Sequence, residues 1–318
     1  MGNSRVDFVI VSLLNGISYG LLLFMVSAGL TLIFGMMGVL NFAHGSFYML
    51  GAYFGYTLAR YASFWVALAI APLAVALIGG FIERYMLRRA HRHGHAHELL
   101  LTFGLFFIFE ELVKLFYGFY PVEYRMPAAL EFTAFSVSGI DYPFFRLFIA
   151  GVAVAMFMAI FLLLRFTRAG LIIRAAVHSP EMVEALGHNV PLVFLAVFAL
   201  GAGMAGLAGT VTGAFYPTSP TMAQELGMII FVVVVVGGLG SIEGALVASL
   251  LIGIFSSFAV GLDWTLADLG KPFGLHPWLA GLGGLLTVRL STMASVVPFV
   301  LMLIILLIRP AGLMGEKA

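Results

Sequence analysis

Leu192-Val-Phe-Leu-Ala-Val-Phe-Ala-Leu-Gly-Ala-Gly-Met-Ala-Gly-Leu-Ala-Gly-Thr-Val-Thr-Gly-Ala-Phe215 decides the fold. No side chain in this run is charged, and it exceeds the roughly 20 residues that a helix needs to cross hydrocarbon. Its apolar residues occupy every face of a helix, so it has no side to offer to water. A barrel strand would alternate in character over about 10 residues, which this run does not. Helices are then what remains, because only helices and closed barrels satisfy their backbone polar groups in lipid. The run Met228 to Leu262 has the same character, with Glu243 as its one acid.

Working outward, such runs recur along the 318 residues, of which 62% are hydrophobic and 10% charged, and mean hydropathy is +1.09. A globular chain is about one quarter charged, and one this poor in charge would expose apolar patches far beyond the few hundred Å² usual in water. Candidate spans cover approximately 8–34, 36–59, 61–82, 99–118, 144–165, 192–216, 226–239, 241–261 and 292–308. The expected fold is therefore all-α, a polytopic transmembrane bundle of about 8–10 spans with at least one broken helix. Residues 1–318 read as one transmembrane domain, with no linker or low-complexity tail. Residues 279–291 could hold a re-entrant piece. Met1 to Asp7 is too weakly basic for a cleavable signal, and Val6 stands where a myristoylation motif wants Ser or Thr.

Net charge is +1 and there is no cysteine, so nothing points to nucleic acid, and disulfides, iron-sulfur clusters and thiol chemistry are excluded. Positive charge collects in cytoplasmic loops. Here it collects in Arg84, Arg88, Arg89 and Arg92, in Arg165, Arg168 and Arg174, and in Arg309 and Lys317. Those regions are assigned inward, and the connections with Glu123, Glu131, Asp141, Glu225, Asp263 and Asp268 outward, which leaves the N-terminus outside. Arg60 falls on the outer side and runs against the pattern.

Three segments interrupt the apolar sequence. Gly35-Met-Met-Gly-Val-Leu-Asn-Phe-Ala-His-Gly-Ser46 carries Asn41, His44 and Ser46 among glycines that include Gly45. Polar groups in hydrocarbon are costly unless paired or facing a cavity. An unwound piece here would aim the N-terminus of the following half-helix at a carboxylate; the competing reading is close helix packing. The second segment, Arg168 to Val190, places Ser179 and Pro180 as a helix start and Gly187 as its stop. Such a short helix in a basic loop either docks a soluble partner or rests on lipid head groups. The third, Gly237-Gly-Leu-Gly-Ser-Ile-Glu-Gly-Ala245, permits close backbone approach, and Glu243 is expected to be solvated or paired with an Arg. Gly35 to Gly38 and Gly237 to Gly240 echo one another, as the halves of repeat-built transporters do.

Glu110 and Lys114, spaced i,i+4, suit an ion pair on one helix face. His91, His93, His95 and His97 form a tract in the Arg-rich loop that reads as solvated surface, and no metal site is expected. No Walker A pattern occurs, and Gly270-Lys271-Pro272 is not one, so this chain cannot hydrolyse ATP through a P-loop.

These segments resemble the membrane permeases of high-affinity branched-chain amino acid ABC importers, and the LivH half of the pair more than LivM. The likeness is carried by Gly29-Leu-Thr-Leu-Ile-Phe-Gly35, Val39-Leu-Asn-Phe-Ala-His-Gly-Ser46, Arg174-Ala-Ala176 with Ala185-Leu-Gly187, Gly237 to Ala245, and Arg309-Pro-Ala-Gly-Leu-Met-Gly315. It runs over nearly the whole chain in matching order; the stretch Leu262 to Ser291 is longer than the family pattern. The resemblance implies a multi-pass protein of a bacterial or archaeal cytoplasmic membrane, without catalytic residues or a cofactor of its own. It further implies a heterodimer with a second permease, two cytoplasmic ATPase subunits that hold ATP and Mg, and an extracytoplasmic solute-binding protein. On that reading residues 179–187 are the coupling helix, with Gly170, Arg174, Ala175, Glu181, Ala185 and Gly187 serving the ATPase. Asn41, His44, Gly45 and Ser46 line the substrate path, and Gly237, Gly238, Gly240 and Glu243 serve gating or close packing. The expected function is import of Leu, Ile, Val or a related small solute.

A rival class is a stand-alone ion- or proton-coupled transporter, in which Glu110, Glu111 and His44 would carry coupling. An intramembrane hydrolase built on His44 and Ser46 is disfavoured, because residues at i,i+2 do not face each other on a helix.

Overall fold

A computed structural model describes residues 2–315 except 92, 138, 263, 266, 269, 270, 272 and 273. The expectations placed on Arg92, Asp263, Gly270, Pro272 and Lys317 lie outside the described residues. Among the described residues the chain is a helical bundle with one small hairpin. In order come α1 (Gly2–Met37), α2 (His44–Tyr61), α3 (Phe64–Ile82), a π-helical turn (Glu83–Leu87), α4 (Arg88–His91) and α5 (His95–Tyr117). The hairpin pairs β1 (Thr133–Val137) with β2 (Ile140–Pro143) antiparallel. Then follow α6 (Phe144–Phe166), α7 (Arg168–His178), α8 (Pro180–Ala185), α9 (Val190–Thr212), α10 (Met222–Gly237), α11 (Ile242–Gly261), α12 (His276–Gly281) and α13 (Val297–Ile308).

Each expected span has its helix. Among the described residues six stretches are long and apolar enough to cross a membrane: Val6–Met37, Phe64–His91, Phe144–Phe166, Val190–Thr212, Ile242–Gly261 and Leu290–Ile308. The last of these includes a 3₁₀ segment, Leu290–Val296, ahead of α13. The helices α2, α5 and α10 fall outside that set: α10 is short, and α2 and α5 carry more polar side chains. In a membrane, the polar side chains of such helices belong where they touch protein or an aqueous path.

Helix starts follow local rules. Ser63 Oγ accepts from Val66 N at 3.3 Å, Asn189 Oδ1 from Leu192 N at 3.0 Å and Ser241 Oγ from Gly244 N at 3.0 Å, each satisfying an orphan N–H of the first turn. The hairpin had no period-2 signal strong enough to be noticed in the sequence. Residues 279–291 hold the end of α12, the 3₁₀ turn Gly284–Thr287 and the start of the 3₁₀ segment Leu290–Val296, all short. Near them Asp268 accepts from Thr265 N at 2.7 Å and pairs with Lys271 at 2.7 Å. The Lys271 ammonium, then the Thr265 donors, hold its carboxyl well below the usual carboxylate range.

Packing is centred on α9, whose face meets α1, α2 and α3. A Cβ on Gly209 would lie 1.9 Å from the Tyr48 carbonyl, and one on Gly51 would lie 2.2 Å from the Gly206 carbonyl. At that separation Thr210 Oγ1 reaches the Gly51 carbonyl at 3.0 Å, and Tyr48 Oη meets Thr212 Oγ1 at 2.9 Å. Small residues bring backbones together and hydroxyls bond across the seam, as helix pairs in lipid require. Along α1, antiparallel α11 packs from Phe8 against Phe258 to Gly20 against Leu250, and the turn before α11 sets Gly240 against Gly35.

Contacts sort the connections into two ends. Arg88 donates to the Pro191 carbonyl at 2.8 Å, joining the α3–α5 connection to the start of α9. Leu313 N donates to the Val236 carbonyl at 2.8 Å, which brings the C-terminal segment to the same end. At the opposite end Tyr124 Oη donates to the Thr210 carbonyl at 3.0 Å, and Val122 bridges Thr218. The Arg-rich segments thus share one end of the bundle, as the charge pattern requires.

Candidate functional site

The expected break is present and narrower than the sequence suggested. Helix α1 continues through Gly35 to Met37, Gly38 turns at φ +65°, and α2 is already helical at His44. In between, Asn41 Oδ1 accepts from Ala43 N at 3.1 Å, a local turn that competes with helix continuation. His44 Nε2 lies 2.9 Å from the Val26 carbonyl; a carbonyl only accepts, so Nε2 carries the proton and Nδ1 is left as an acceptor. That contact sets depth. Val26 is eleven residues before Met37, so α2 begins about 16 Å along α1 from its end, at 1.5 Å per residue. The N-terminus of α2 therefore opens inside the bundle.

Asn41, His44 and Ser46 are all buried. Asn41 Nδ2, His44 Nδ1 and Ser46 Oγ have no hydrogen-bond partner, and they make up half of the buried side-chain atoms in that condition among the described residues. Each such atom costs about 1–3 kcal/mol, so their concentration within six positions marks this turn as the strained polar spot of the bundle. They do not form one pocket. Successive helical residues rotate by about 100°, which points His44 and Ser46 roughly 200° apart, and this geometry rules out a His–Ser catalytic pair. Gly45, between them, faces α10: a Cβ there would lie 2.7 Å from the Ala223 carbonyl. Phe42, 42% exposed, stacks on Phe231 at 5.3 Å and meets Phe103 edge-on at 6.1 Å. The sequence reading missed this aromatic group; Phe42 sits inside the motif, but nothing in spacing connects it with α5 and α10.

The second glycine cluster adjoins the first. Gly238 and Gly240 take φ +104° and +89° between α10 and α11, and a Cβ on Gly240 would lie 2.8 Å from the Gly35 Cα. The echo between the two segments thus corresponds to physical contact. A third partner closes the junction, since Met314 N donates to the Gly237 carbonyl at 3.0 Å, capping the last turn of α10. Glu243 is exposed and makes no ion pair among the described residues, so of its two expected states it is the solvated one. Gly240→Leu is expected to cut transport at least tenfold with normal membrane abundance; the check is uptake per unit of protein, because only the loop conformation and the α1 junction are disturbed there.

The third segment forms a protrusion. Thr167 Oγ1 accepts from Gly170 N at 3.0 Å. A Cβ on Gly170 would lie 2.3 Å from the Leu163 and Leu164 carbonyls, so this sharp corner between α6 and α7 needs glycine. Ala176 is buried while Arg174 and Ala175 are exposed. In α8, Pro180 takes the first turn as expected, but the Ser179 side chain makes no capping bond, because backbone at φ −153°, ψ 84° turns it away. Gly187 ends the helix at φ +86°, with Gly187 N on the Glu184 carbonyl at 2.9 Å and His188 N on the Val183 carbonyl at 3.1 Å, a Schellman closure. Val183 anchors α8 inward, while Met182 and Leu186 are 61% and 72% exposed, and Glu181 and Ala185 are exposed beside them.

The remaining candidates are occupied structurally. Lys114 pairs with Glu110 at 2.7 Å and with Glu111 at 2.9 Å. In the histidine tract, His91 and His95 both bond Glu98, whose carboxylate is buried, while His93 bonds the Arg89 carbonyl at 3.0 Å. Glu83, also buried, pairs with Arg88 at 3.0 Å.

A multi-pass helical bundle whose second helix starts at a polar break inside the bundle has the architecture of a transport permease. The family described as branched-chain amino acid transport system / permease component matches residues 12–306, and the chain belongs to it. It is 25% identical over 329 aligned positions to the high-affinity branched-chain amino acid transport system permease protein LivH of Salmonella typhimurium, covering 97% of this chain and 96% of that protein. It is also 25% identical to the corresponding permease BraD of Pseudomonas aeruginosa, covering 96% and 95%. A solved structure, PsaBC from Streptococcus pneumoniae in complex with Fab, aligns over 93% of this chain and 91% of that one at 11% identity. Its TM-score of 0.45 is too low to bear on either fold or function.

Proposed function

We propose that this chain is one permease subunit of an ATP-driven importer for branched-chain or similar hydrophobic amino acids in a bacterial or archaeal cytoplasmic membrane. Its basic end faces the cytoplasm. A second homologous permease completes the path, two ATPase subunits bind ATP and Mg, and an extracytoplasmic binding protein delivers the solute. The observation that carries the reading is α8: a helix that spans nothing, held by Val183 and closed by Gly187, presents apolar side chains from the Arg-rich end. That arrangement supports a docking contact with a soluble partner. Motion received there passes through α7 to α1, against which α7 packs. From α1 it reaches the break at Gly38 to Ala43 and the Gly35–Gly240 junction, where Asn41, His44, Gly45 and Ser46 border the path and Gly237, Gly238, Gly240 and Glu243 gate it.

The test is reconstitution. Liposomes holding the permease pair, ATPases and binding protein should accumulate labelled leucine only with ATP present. Uptake by this chain alone, driven by an ion gradient, would instead assign it to the secondary transporters, with the Glu110–Lys114–Glu111 group as the place to look for coupling.

A further inference from the structure

Arg60 lies on the side assigned outward, as do Arg125, Lys271 and Arg289, but Arg125 and Lys271 are paired with acids and the surroundings of Arg60 differ. At the end away from the Arg-rich segments, a groove of roughly 620 Å³ lies along α2 and α5. They touch along one seam, where Tyr53 meets Tyr117 at 4.6 Å and Thr57 Oγ1 meets Tyr117 Oη at 2.7 Å. Beside that seam, Leu50 and Phe54 of α2, Phe109 and Val113 of α5 and Ile78 of α3 line an apolar slot. Its mouth is made by Tyr56, Arg60 and Tyr61. Arg60 donates to Tyr56 Oη at 3.2 Å and makes no ion pair among the described residues, while Tyr61 is 81% exposed. The acids of α5 do not line the slot: Glu110 is tied to Lys114, and Glu111 borders a separate depression with Phe107 and Leu115.

The dimensions choose the occupant. Leu50 at the floor lies eleven residues from Tyr61 at the rim, about 16 Å at 1.5 Å per residue, which matches one leaflet, half of the roughly 30 Å hydrocarbon core. A single amino acid would fill only a fraction of that length. A hydrocarbon slot one leaflet deep, with a guanidinium and phenol hydroxyls at head-group level, has the donors for a phosphate and the aromatic girdle of an interface. We propose that the groove binds one anionic phospholipid of the Arg60-side leaflet, its acyl chain along Leu50, Phe54 and Phe109 and its phosphate on Arg60. The site needs only that the chain is embedded in a bilayer, and it stands whatever solute is carried.

The test places a tryptophan reporter in the groove, Phe109→Trp, in the assembled transporter with Trp65, Trp264 and Trp278 changed to Phe. The control is Leu77→Trp on the exposed face of α3, at 76% exposure. Phosphatidylglycerol with brominated acyl chains is titrated into phosphatidylcholine bilayers. The groove reporter should be half-quenched at a mole fraction about fivefold lower than the control reporter, the preference roughly one cation–phosphate contact supplies. Arg60→Gln should bring the two curves together. Equal curves for both reporters, or a groove curve unmoved by Arg60→Gln, overturns the proposal. A groove reporter that no brominated lipid reaches also overturns it, since another chain then covers the slot. Should Phe109→Trp fail to fold, native mass spectrometry decides: the unaltered complex should retain phosphatidylglycerol that the Arg60→Gln complex loses, and equal retention refutes the site.

Discussion

Gly209→Leu is expected to remove folded protein from the membrane altogether. Its first side-chain atom would lie 1.9 Å from the Tyr48 carbonyl and 2.8 Å from Ala52 N, so α2 and α9 must move apart. The neighbour is backbone on a helix held elsewhere, and no rotamer relieves the clash. Overpacking typically costs about 1–3 kcal/mol and occasionally more. Here the separation also breaks the Thr210–Gly51 and Tyr48–Thr212 bonds and orphans the Tyr48 hydroxyl at about 1–3 kcal/mol, while Thr210 and Thr212 keep their bonds within α9. Those sums reach the lower end of the roughly 5–15 kcal/mol total stability of an ordinary domain. Detergent-extracted protein should show no monodisperse peak in size-exclusion chromatography. Gly151→Leu, on α6 where a Cβ meets nothing within 4 Å, should leave the peak unchanged. A normal profile for Gly209→Leu would mean that the α2–α9 seam is wider than described.

The double change Met182→Asp with Leu186→Asp should leave the permease folded and abolish its partnership. Both side chains are mostly exposed and make no part of the bundle core, so stability should move by no more than about 0.5 kcal/mol, as surface substitutions do. If they are anchors in an ATPase cleft, burying two carboxylates there without partners costs several kcal/mol, enough to reduce co-purification of the ATPase by more than about a hundredfold at about 1.4 kcal/mol per decade. ATPase pull-down and leucine uptake should fall together. Val183→Asp would instead unseat α8 itself, because Val183 is buried. Unchanged pull-down by the double variant would remove the docking role from this helix.

How far the sequence was legible follows from the range of each signal. Apolar length is local, and the edges of α3, α6 and α11 fall within a few residues of the runs read from composition. The break was half legible: glycines and polar residues located it, but only the His44–Val26 bond shows that α2 starts deep and that His44 and Ser46 are already helical. The helix end at Gly187 was readable, because a stop signal acts through its own backbone. The Ser179 cap was not, since its side-chain bond depends on a ψ angle that tertiary packing decides. Pairings between distant elements left no trace at all. Nothing in one sequence says that Arg88 reaches Pro191, that His91 and His95 share Glu98, or that Phe42 stacks on Phe231. The contact between Gly35 and Gly240 was visible only as an echo of composition.

The seam between α1 and α11 carries a consequence for how the protein is made. Gly20 faces Leu250 across a gap in which a Cβ would lie 2.8 Å from the Leu250 Cα, yet about 230 residues separate them in the chain. At roughly 5–20 residues per second, the ribosome needs on the order of ten seconds or more to deliver α11 after α1 has entered the bilayer. During that interval the glycine face of α1 is open to any neighbouring span. A companion in the insertion machinery, or a temporary pairing with the next helices, would keep that face from mispairing until the last third of the chain emerges.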